Sequence, residues 1–419
     1  MQHAACFGAL TITLGLALGA AAQPQGTALD FSDAMARSRE APAVREVEAA
    51  LKTKRAVDRQ LGALSHNPQI SIDAGYRNDT GGQGAVLQVA VQQGINLAGY
   101  IAARHRSVEH EEATLALELR AALWRQRLGT ARLWTELWGT TQALQRTREE
   151  VELAKQSLGR TERLFQTGAA TQVDVGSARV YLAEVEARRI GVEGEAIEQE
   201  LTLGRFLGMS DGVQIKGAPE AVRLPALTEA LQTEALRRCA QVPEPLLRRS
   251  AEQVERARAD ETTAQRGTQL WIGAMGLHEP TAPWAAFGTL SLSLPIFDRG
   301  QRERADLLAS AARLHITAQS TESGTQIELR TLLHEVEHFG ELSTLLDDSL
   351  LPAAERDVAQ RERLLAAGDG TVFQVLSARR GLSTARTQAA RCRASLLGSR
   401  YRLFLYLSAL GLMSEEASS

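Results

Sequence analysis

Two parts of the chain alternate apolar and polar residues with a period of two. The first alternation runs from Ile70 to Arg77, and it resumes from Leu87 to Gln92 after a glycine-rich turn over 79–84. Successive side chains of a β-strand point to opposite faces, so this pattern predicts a β-hairpin.

A second hairpin is predicted about 200 residues further on. Gln269 to Leu277 has strand character, Glu279 to Pro283 breaks it, and Phe287 to Phe297 alternates leucine with serine and threonine. An aliphatic face opposite a small polar face is typical of a barrel strand between lipid and water. A soluble half-buried sheet would show the same alternation, but the chain offers no further strands to pair with. Two hairpins cannot close a barrel, so closure needs other copies of the chain.

Long helices surround the hairpins. Residues 29–64 are predicted helical with a break near Ala41-Pro42, and residues 100–166 and 301–366 contain Pro352 as their one proline. About 65 residues at 1.5 Å each span on the order of 100 Å. A heptad spacing predicts coiled-coil-like packing. Its positions are Leu144, Val151, Leu158 and Phe165, and then Thr344, Leu351, Val358 and Leu365.

A twenty-residue stretch occurs twice at a constant offset of 200. Residues 163–182 align without a gap on 363–382, with nine identities where about one is expected by chance. The identical residues of the first copy are Arg163, Leu164, Gly168, Thr171, Val175, Ser177, Ala178, Arg179 and Leu182. The chain is therefore predicted to be two copies of one large unit.

The repeated stretch predicts a turn between antiparallel helices. Gly168 and Gly368 stand where a helix end needs a residue with positive φ. Thr171 and Thr371 stand where the returning helix needs an N-cap, and the residue three positions on, Asp174 in the first copy, completes a capping box. The returning helices are predicted over 171–207 and 371–410. Capping alone does not account for the further identity of the residues beyond it.

The N-terminus predicts a secretory signal peptide. Phe7 to Ala22 is uncharged and rich in Ala, Leu and Gly, and the Ala20–Ala22 run before Gln23 suits a cleavage site. A membrane-spanning helix is the alternative, although the run is shorter than the ~20 residues that a span needs. No sufficiently long apolar segment follows Gln23.

Composition and charge exclude some partners. A net charge of −3 and a pI of about 6.3 offer no basic face for nucleic acid. Cys6 lies in the predicted signal peptide away from the cleavage site, so no lipid anchor is indicated. Cys239 and Cys392 could pair in an oxidising compartment or could be small buried residues, and the sequence leaves both readings open.

One motif is typical of zinc hydrolases. His334-Glu335-Val336-Glu337-His338 matches H-E-x-x-H, in which two histidines bind zinc and the glutamate is the base. No third ligand follows at a recognisable spacing, and the positions 200 residues earlier are Trp134 and Trp138. The motif also lies on a long helix, without a cleft to exclude water. We therefore expect no catalytic site, no metal site and no cofactor.

The doubled hairpin-and-helix unit behind a signal peptide resembles the TolC-type outer-membrane factors of tripartite efflux and type I secretion. The resemblance covers essentially the whole mature chain. It is most specific in the repeated turn, in Asn67-Pro68, and in Leu292 to Gln301, which is similar to the strand-to-helix junction of the heavy-metal-efflux branch. The first junction, Gln92 to Gly99, departs from this pattern because it is one residue shorter and lacks the proline.

This resemblance implies a mainly α fold with a small membrane β part. Each protomer of a homotrimer would contribute four strands to an outer-membrane barrel in lipid, and long antiparallel coiled-coil helices to an α-barrel across the periplasm. The expected location is the cell outer membrane, extending into the periplasm. The expected partners are a periplasmic adaptor (membrane fusion) protein and an inner-membrane RND-type pump.

The resemblance also assigns roles to the tips of the helical hairpins. The tips would form the periplasmic entrance and dock the adaptor, through Leu164, Gly168, Thr171, Val175, Ser177, Arg179, Leu364, Gly368, Thr371, Val375, Ser377 and Arg379. Asp174 and Asp369 are candidate entrance carboxylates, although solvated capping carboxylates would look the same in sequence.

The predicted segments follow from the patterns and the resemblance together. They are a signal peptide (1–22), an N-terminal helical segment (23–66), a first outer-membrane hairpin (67–97), a first helical hairpin (98–208), an equatorial linker (209–242), a helix (243–268), a second outer-membrane hairpin (269–297), a second helical hairpin (298–411) and a tail (412–419).

The expected function is a passive exit duct for metal ions or small toxic compounds. The outer-membrane component of type I protein secretion is an alternative. A soluble periplasmic coiled-coil adaptor is another, although it would need one helical hairpin and a substantial β-domain rather than a doubled unit. The transported substrate and the gate residues do not follow from the sequence.

Overall fold

The computed structural model of the chain describes residues 27–58, 66–79, 82–219, 222–279 and 282–413. The predicted signal peptide and most of the predicted tail lie outside these residues. The strands, in chain order, are β1 (Thr27–Leu29), β2 (Gln69–Asp79), β3 (Gly82–Asn96), β4 (Val213–Ile215), β5 (Gln269–Glu279) and β6 (Ala282–Ser293). The helices are α1 (Phe31–Arg37), α2 (Pro42–Asp58), α3 (Tyr100–Gln166), α4 (Gln172–Phe206), α5 (Glu229–Arg238), α6 (Pro243–Gln265), α7 (Gln301–Leu345), α8 (Leu351–Ala367) and α9 (Val372–Ala409).

Both predicted hairpins form, and they join each other. The antiparallel sheet has the order β2-β3-β5-β6, because β3 pairs with β5 from Leu87↔His278 to Asn96↔Gln269. The expectation that neither hairpin has a partner strand within the chain was therefore wrong. The last strand ends at Ser293 rather than at Phe297, since Pro295 has no N–H to donate to a ladder.

The register places the alternating aliphatic positions of the four strands on one face of the sheet, whereas Trp271, Met275 and Phe287 lie on the opposite face. Ile72 lies opposite Val89, and in the second hairpin Ile272 lies opposite Leu290. Because directly paired residues share a face, the two alternating patterns are in phase across β3 and β5. This face is open to the surroundings: Ile72 is 67% exposed and Leu290 is 74% exposed.

Each strand-to-helix junction ends in a glycine with positive φ. Gly99 (φ 76°) and Gly300 (φ 73°) stand directly before α3 and α7. Asn96 Oδ1 accepts the Ala98 amide at 2.8 Å, and Asp298 Oδ1 accepts the Gly300 amide at 2.9 Å. The first junction thus makes the same turn although it lacks the proline of the second.

The described part of the N-terminal segment is helical over α1 and α2 with the predicted break, while the predicted helical residues 59–64 lie outside the described residues. A short 3-10 turn over Ser38–Glu40 precedes Pro42 at the start of α2. The short strand β1, which the sequence patterns did not indicate, pairs in parallel with β4 in the predicted linker. Phe31 of α1 meets the ring of Trp134 edge-on at 5.2 Å, so this segment packs on α3.

The second long helix contains a π-helix, Leu346–Leu350, immediately before α8. Pro352 lacks the N–H that would bond one turn back, and a π turn absorbs the missing bond by adding a residue. Upstream of it, Leu333 and Val336 pack near Leu403 as Trp134 and Leu137 pack near Leu203. Leu333 and Val336 lie 199 residues after Trp134 and Leu137, whereas Leu403 lies 200 residues after Leu203.

This shift corrects two expectations from the sequence. Thr344 is exposed whereas Leu144 is buried, and His334 is exposed whereas Trp134 is buried, so neither pair occupies equivalent positions. Phe165, at the end of the first heptad series, is also exposed. The π-helix rotates the face that α7 presents, because an added residue turns a helix by about 100°.

The two cysteines of the described chain are free thiols. Cys239 and Cys392 are both buried, and Cys392 packs with Leu346 and Ala389. They behave as small apolar residues. None of the described helices combines the length and apolarity required to cross a membrane.

The contact between α3 and α9 requires small residues. A Cβ added at Gly139 would lie 2.5 Å from the Ala394 Cβ, whereas a Cβ at Gly159 of the same helix would meet nothing within 4 Å. We expect Gly139→Ala to lower the free energy of unfolding by about 1–3 kcal/mol through overpacking. We expect Gly159→Ala to raise it by up to about 1 kcal/mol.

Thermal unfolding followed by circular dichroism would measure both variants. Equal effects of the two substitutions would show that α3 and α9 do not pack this closely.

Candidate functional site

The two helical-hairpin turns, here called the tips (residues 162–179 and 362–379), have the same backbone geometry. Gly168 (φ 76°) and Gly368 (φ 85°) are both left-handed. The Ala169 amide donates to the Leu164 carbonyl at 2.8 Å, and the Asp369 amide donates to the Leu364 carbonyl at 3.0 Å. The recurrence of Leu164 and Gly168 as Leu364 and Gly368 therefore reflects the same helix-ending motif in both copies.

Both returning helices begin with a capping box, as predicted. Asp174 N donates to Thr171 Oγ1 at 3.2 Å while Asp174 Oδ2 accepts from Thr171 N at 2.8 Å. Gln374 makes the corresponding pair with Thr371, at 3.3 and 3.2 Å. The N-terminus of each helix is thereby fixed directly beside the tip.

An arginine–glutamate pair ties the two helices of each tip together. Arg179 Nη2 lies 3.0 Å from Glu162 Oε1, and Arg379 Nη2 lies 2.6 Å from Glu362 Oε1. This accounts for the repeated arginine that capping left unexplained. The glutamates were missed in the sequence, although extending the alignment by one residue would have revealed them.

Arg379 makes further bonds that Arg179 does not make within the described chain. Its Nη1 donates to the Leu153 carbonyl at 3.2 Å and to Ser157 Oγ at 2.6 Å, both on α3. As a result the Arg379 side chain is 18% exposed and the Arg179 side chain is 63% exposed. The second tip is therefore fastened to the first hairpin through this arginine.

A shared apolar cluster also holds the tips side by side. Val151, Tyr181 and Val185 of the first hairpin contact Val372 and Leu376 of the second. Val175 and Val375, predicted as docking residues, are buried. They stabilise the tips from within and do not present a contact surface in this chain.

The exposed part of each tip includes an apolar residue that the sequence analysis did not single out. Val173 is 76% exposed and Phe373 is 59% exposed. Each is the second residue of its helix, α4 and α9 respectively. They occupy equivalent positions in the two copies. Gly168, Gly368, Thr171, Thr371 and Ser377 are exposed around them, and Leu164, Leu364 and Ser177 are half-buried.

The two candidate entrance carboxylates differ in environment. Asp174 is half-buried and engaged by Thr171, whose hydroxyl also donates to it at 2.7 Å. Asp369 is exposed, and its backbone amide closes the turn. Capping therefore explains Asp174 without a role in gating, while Asp369 remains a candidate.

The H-E-x-x-H segment has its glutamate directed away from its histidines. Glu335 Oε2 accepts from Ser399 Oγ and Arg402 Nη2 of α9, both at 2.6 Å. His334 and His338 are exposed, with ring centroids 5.8 Å apart. Among the described residues no three His, Cys, Asp or Glu side chains converge as metal ligands. The segment therefore lacks the arrangement of a zinc hydrolase.

Solved structures resemble this fold over nearly the whole chain. The outer-membrane channel OprN matches with a TM-score of 0.74 and 18% identity, covering 90% of this chain and 90% of that chain. CusC, described as forming a transmembrane channel, matches at 0.69 and 16%, covering 91% and 92%. The outer-membrane protein VceC of Vibrio cholerae matches at 0.66 and 17%, covering 91% and 96%.

The chain has the fold of the TolC-type outer-membrane factors. The resemblance seen in the sequence is thus confirmed at the level of the fold. No protein-family model matches the sequence, and no curated protein matches it significantly. Identities this low leave the function to be argued from the chain itself.

A buried polar pair lies just behind the tips of this outer-membrane-factor fold. Tyr181 Oη donates to Glu150 Oε1 between α3 and α4, and both residues are buried. Burial raises the pKa of the Glu150 carboxyl, against the lowering effect of Arg379, Arg386 and Arg188. The second copy has Leu350 and Gly381 at these positions, so the pair is specific to the first hairpin.

A raised pKa makes the folded state prefer the protonated Glu150. Its contribution to stability is therefore present at acidic pH and is lost as the pH rises through the raised pKa. We expect Glu150→Gln, which stays neutral, to gain melting temperature relative to the wild type as the pH is raised from about 4 to 8. Melting curves across this range would measure the difference.

Glu152→Gln provides the matched control, because Glu152 is exposed and, among the described residues, pairs with Lys155 at the surface. A Glu150→Gln difference that is flat with pH would contradict the argument.

Proposed function

We propose that the protein is the outer-membrane exit duct of a tripartite efflux system, working as a homotrimer. One observation carries the proposal: a sheet with an exposed apolar face stands at the end of long helices, of which α3 with 67 residues spans about 100 Å. An apolar face of this kind is stable in lipid and unstable in water.

The edges of the sheet support a closed assembly. Within the described residues β2 and β6 each pair on one side only. In lipid an unpaired strand edge leaves backbone N–H and C=O groups without partners, so the sheet must close. Three copies would join β6 of one protomer to β2 of the next and give twelve strands.

The helical hairpins support a conduit across the periplasm. α3 alone has 67 residues, and the solved channels of this fold are outer-membrane proteins. The tips would form the periplasmic entrance and bind a periplasmic adaptor that connects to an inner-membrane RND-type pump. A trimer presents six similar tips, which explains why the two copies repeat the same residues.

The substrate class follows from the pump rather than from the duct. We propose metal ions or small toxic compounds as cargo, on the likeness of the second strand-to-helix junction to the metal-efflux branch. Type I protein secretion is the second candidate, because it uses the same fold. The exposed apolar sheet argues against a soluble adaptor, and the engaged Glu335 argues against a zinc hydrolase.

The apolar face of the sheet offers a direct test. Ile72 lies on it, and Ser71 lies on the opposite face of the same strand. We expect Ile72→Arg to reduce strongly the amount of protein in the outer membrane, since an arginine facing lipid costs up to roughly 2–4 kcal/mol. Ser71→Arg should be tolerated because it faces the lumen. Fractionation of cells followed by immunoblotting would measure both.

Recovery of the wild-type protein as a soluble periplasmic monomer would overturn the duct. Equal tolerance of Ile72→Arg and Ser71→Arg would show that this face does not meet lipid.

The tips offer a second test, directed at the adaptor. We expect Val173→Asp combined with Phe373→Asp to abolish export while the protein still reaches the outer membrane, because charge replaces the exposed apolar contacts. Export would be measured in a strain that lacks its own duct and is supplied with the adaptor and the pump. The readout is the resistance of this strain to toxic compounds. Val57→Asp, at an exposed apolar residue of α2, is the control. Unchanged export by the tip variant would contradict docking through these residues.

A further inference from the structure

The two histidines of the H-E-x-x-H segment, here called the histidine pair, lie side by side on the exposed face of α7. His334 and His338 occupy successive helical turns, with their ring centroids 5.8 Å apart and their ring planes at 23°. Both are exposed, and neither imidazole makes a hydrogen bond or an ion pair within the described residues. Two imidazoles at this i, i+4 spacing can bind one transition-metal ion through their free nitrogens.

The segment lacks the base and the third ligand of a hydrolase. Glu335 is turned toward α9, where Ser399 and Arg402 hold its carboxylate. Among the described residues no third His, Cys, Asp or Glu joins the histidine pair. A metal ion on this pair is therefore bound without being used for hydrolysis, and its remaining ligands must come from water or from another molecule.

The duplication indicates which residue of another molecule lies beside the histidine pair. Within the chain, α3 of the first unit packs on α9 of the second. A Cβ added at Gly139 would lie 2.5 Å from the Ala394 side chain. A Cβ added at Gly398 would lie 2.5 Å from the Thr135 hydroxyl. The other combination of the same kind is α7 of the second unit with α4 of the first, which in the proposed trimer belongs to the next copy.

The offsets translate the first contact into the second. With the offset of 199 along α7, Thr135 and Gly139 correspond to the histidine pair. With the offset of 200 between α4 and α9, the residues that correspond to Gly398 and Ala394 are Glu198 and Gly194. Small residues that touch in the first contact are thus replaced by imidazoles, a carboxylate and a glycine in the second.

The residues on α4 suit a metal ligand and the space that it needs. Glu198 is exposed and makes no hydrogen bond or ion pair within the described residues, so its carboxylate is free to bind an ion. In the translated contact it lies beside His334 of the neighbouring copy. Gly194 has no atom within 4 Å of an added Cβ, so it leaves room for the ring of His338.

We propose that His334 and His338, together with Glu198 of the neighbouring copy, bind a divalent transition-metal ion such as Zn²⁺. Imidazole nitrogen and carboxylate oxygen are ordinary zinc ligands, and water completes the tetrahedron. The site is complete only in the assembly, so binding of the ion stabilises the assembled protein over the separate chains. The proposal goes beyond the proposed function and rests on it in one respect: the neighbouring copy is a member of the same trimer.

Zinc titration of the purified protein in detergent tests the histidine pair. We expect one Zn²⁺ per chain to bind with micromolar or tighter affinity, and His334→Ala and His338→Ala each to weaken binding at least about tenfold. Glu335→Gln should bind zinc as the wild type does, because that carboxylate is not a ligand.

The matched control removes two histidines from the other long helix. His105→Ala with His110→Ala, five positions apart on α3, should leave the zinc affinity unchanged. Equal affinities of the wild type and the histidine-pair variants would overturn the site. Binding that saturates only at millimolar zinc would also overturn it, since a solvated histidine pair takes up metal adventitiously.

The ligand from the neighbouring copy has its own readout. We expect Zn²⁺ to raise the temperature at which the detergent-solubilised trimer dissociates, and Glu198→Gln to abolish that rise. With a chelator present, the wild type and Glu198→Gln should dissociate at the same temperature. Glu186→Gln, at a half-buried position on another side of α4, is the control and should keep the zinc effect.

A zinc effect that survives Glu198→Gln would overturn the ligand from the neighbouring copy. The duct itself is judged separately, by the partitioning of Ile72→Arg and Ser71→Arg, which involves no metal. The two proposals therefore fail in distinguishable ways.

Discussion

The close approach of α3 and α9 holds the two copies of the duplicated unit together. Gly139 and Gly398 leave no room for a side chain where the helices meet Ala394 and Thr135, and the interface can be this tight only because its residues are small. Farther along the same pair of helices, Arg379 and the Val151–Leu376 cluster fasten the tips side by side. At the other end, the pairing of β3 with β5 joins the hairpins. The α3–α9 contact therefore lies between the sheet and the tips and links the two.

The duplication preserves hydrogen bonds more faithfully than it preserves packing. Both tips contain the same helix-ending motif, capping box and arginine–glutamate pair. Their surroundings differ, since Glu150 and Tyr181 form a buried polar pair in one copy and are Leu350 and Gly381 in the other. Local hydrogen bonds depend on residues a few positions apart, so duplication carries them intact. Packing depends on distant partners, which have diverged.

The π-helix shows how one residue alters the relation between the copies. It keeps α7 and α8 continuous around Pro352, and it turns α7 so that Leu333 rather than His334 enters the core. That rotation places the His334–His338 pair on the surface and directs Glu335 to Arg402. A sequence motif that would be typical of zinc chemistry on another helix is here divided between a surface face and a salt bridge.

The sequence by itself determined the hairpins, the long helices, the tips with their caps and the duplication, because these follow from spacings of two, three, four and seven residues and from local capping. It could not determine that the hairpins share one sheet, that Val175 and Val375 are buried, or that Arg179 and Arg379 differ in their partners. Those facts depend on which elements meet across some 200 residues of chain. The constant offset, correct at the tips, was wrong along α7, because an inserted helical residue changes the face of a helix without changing its sequence pattern. Only the tertiary structure decided which side of each helix is covered and which side is exposed.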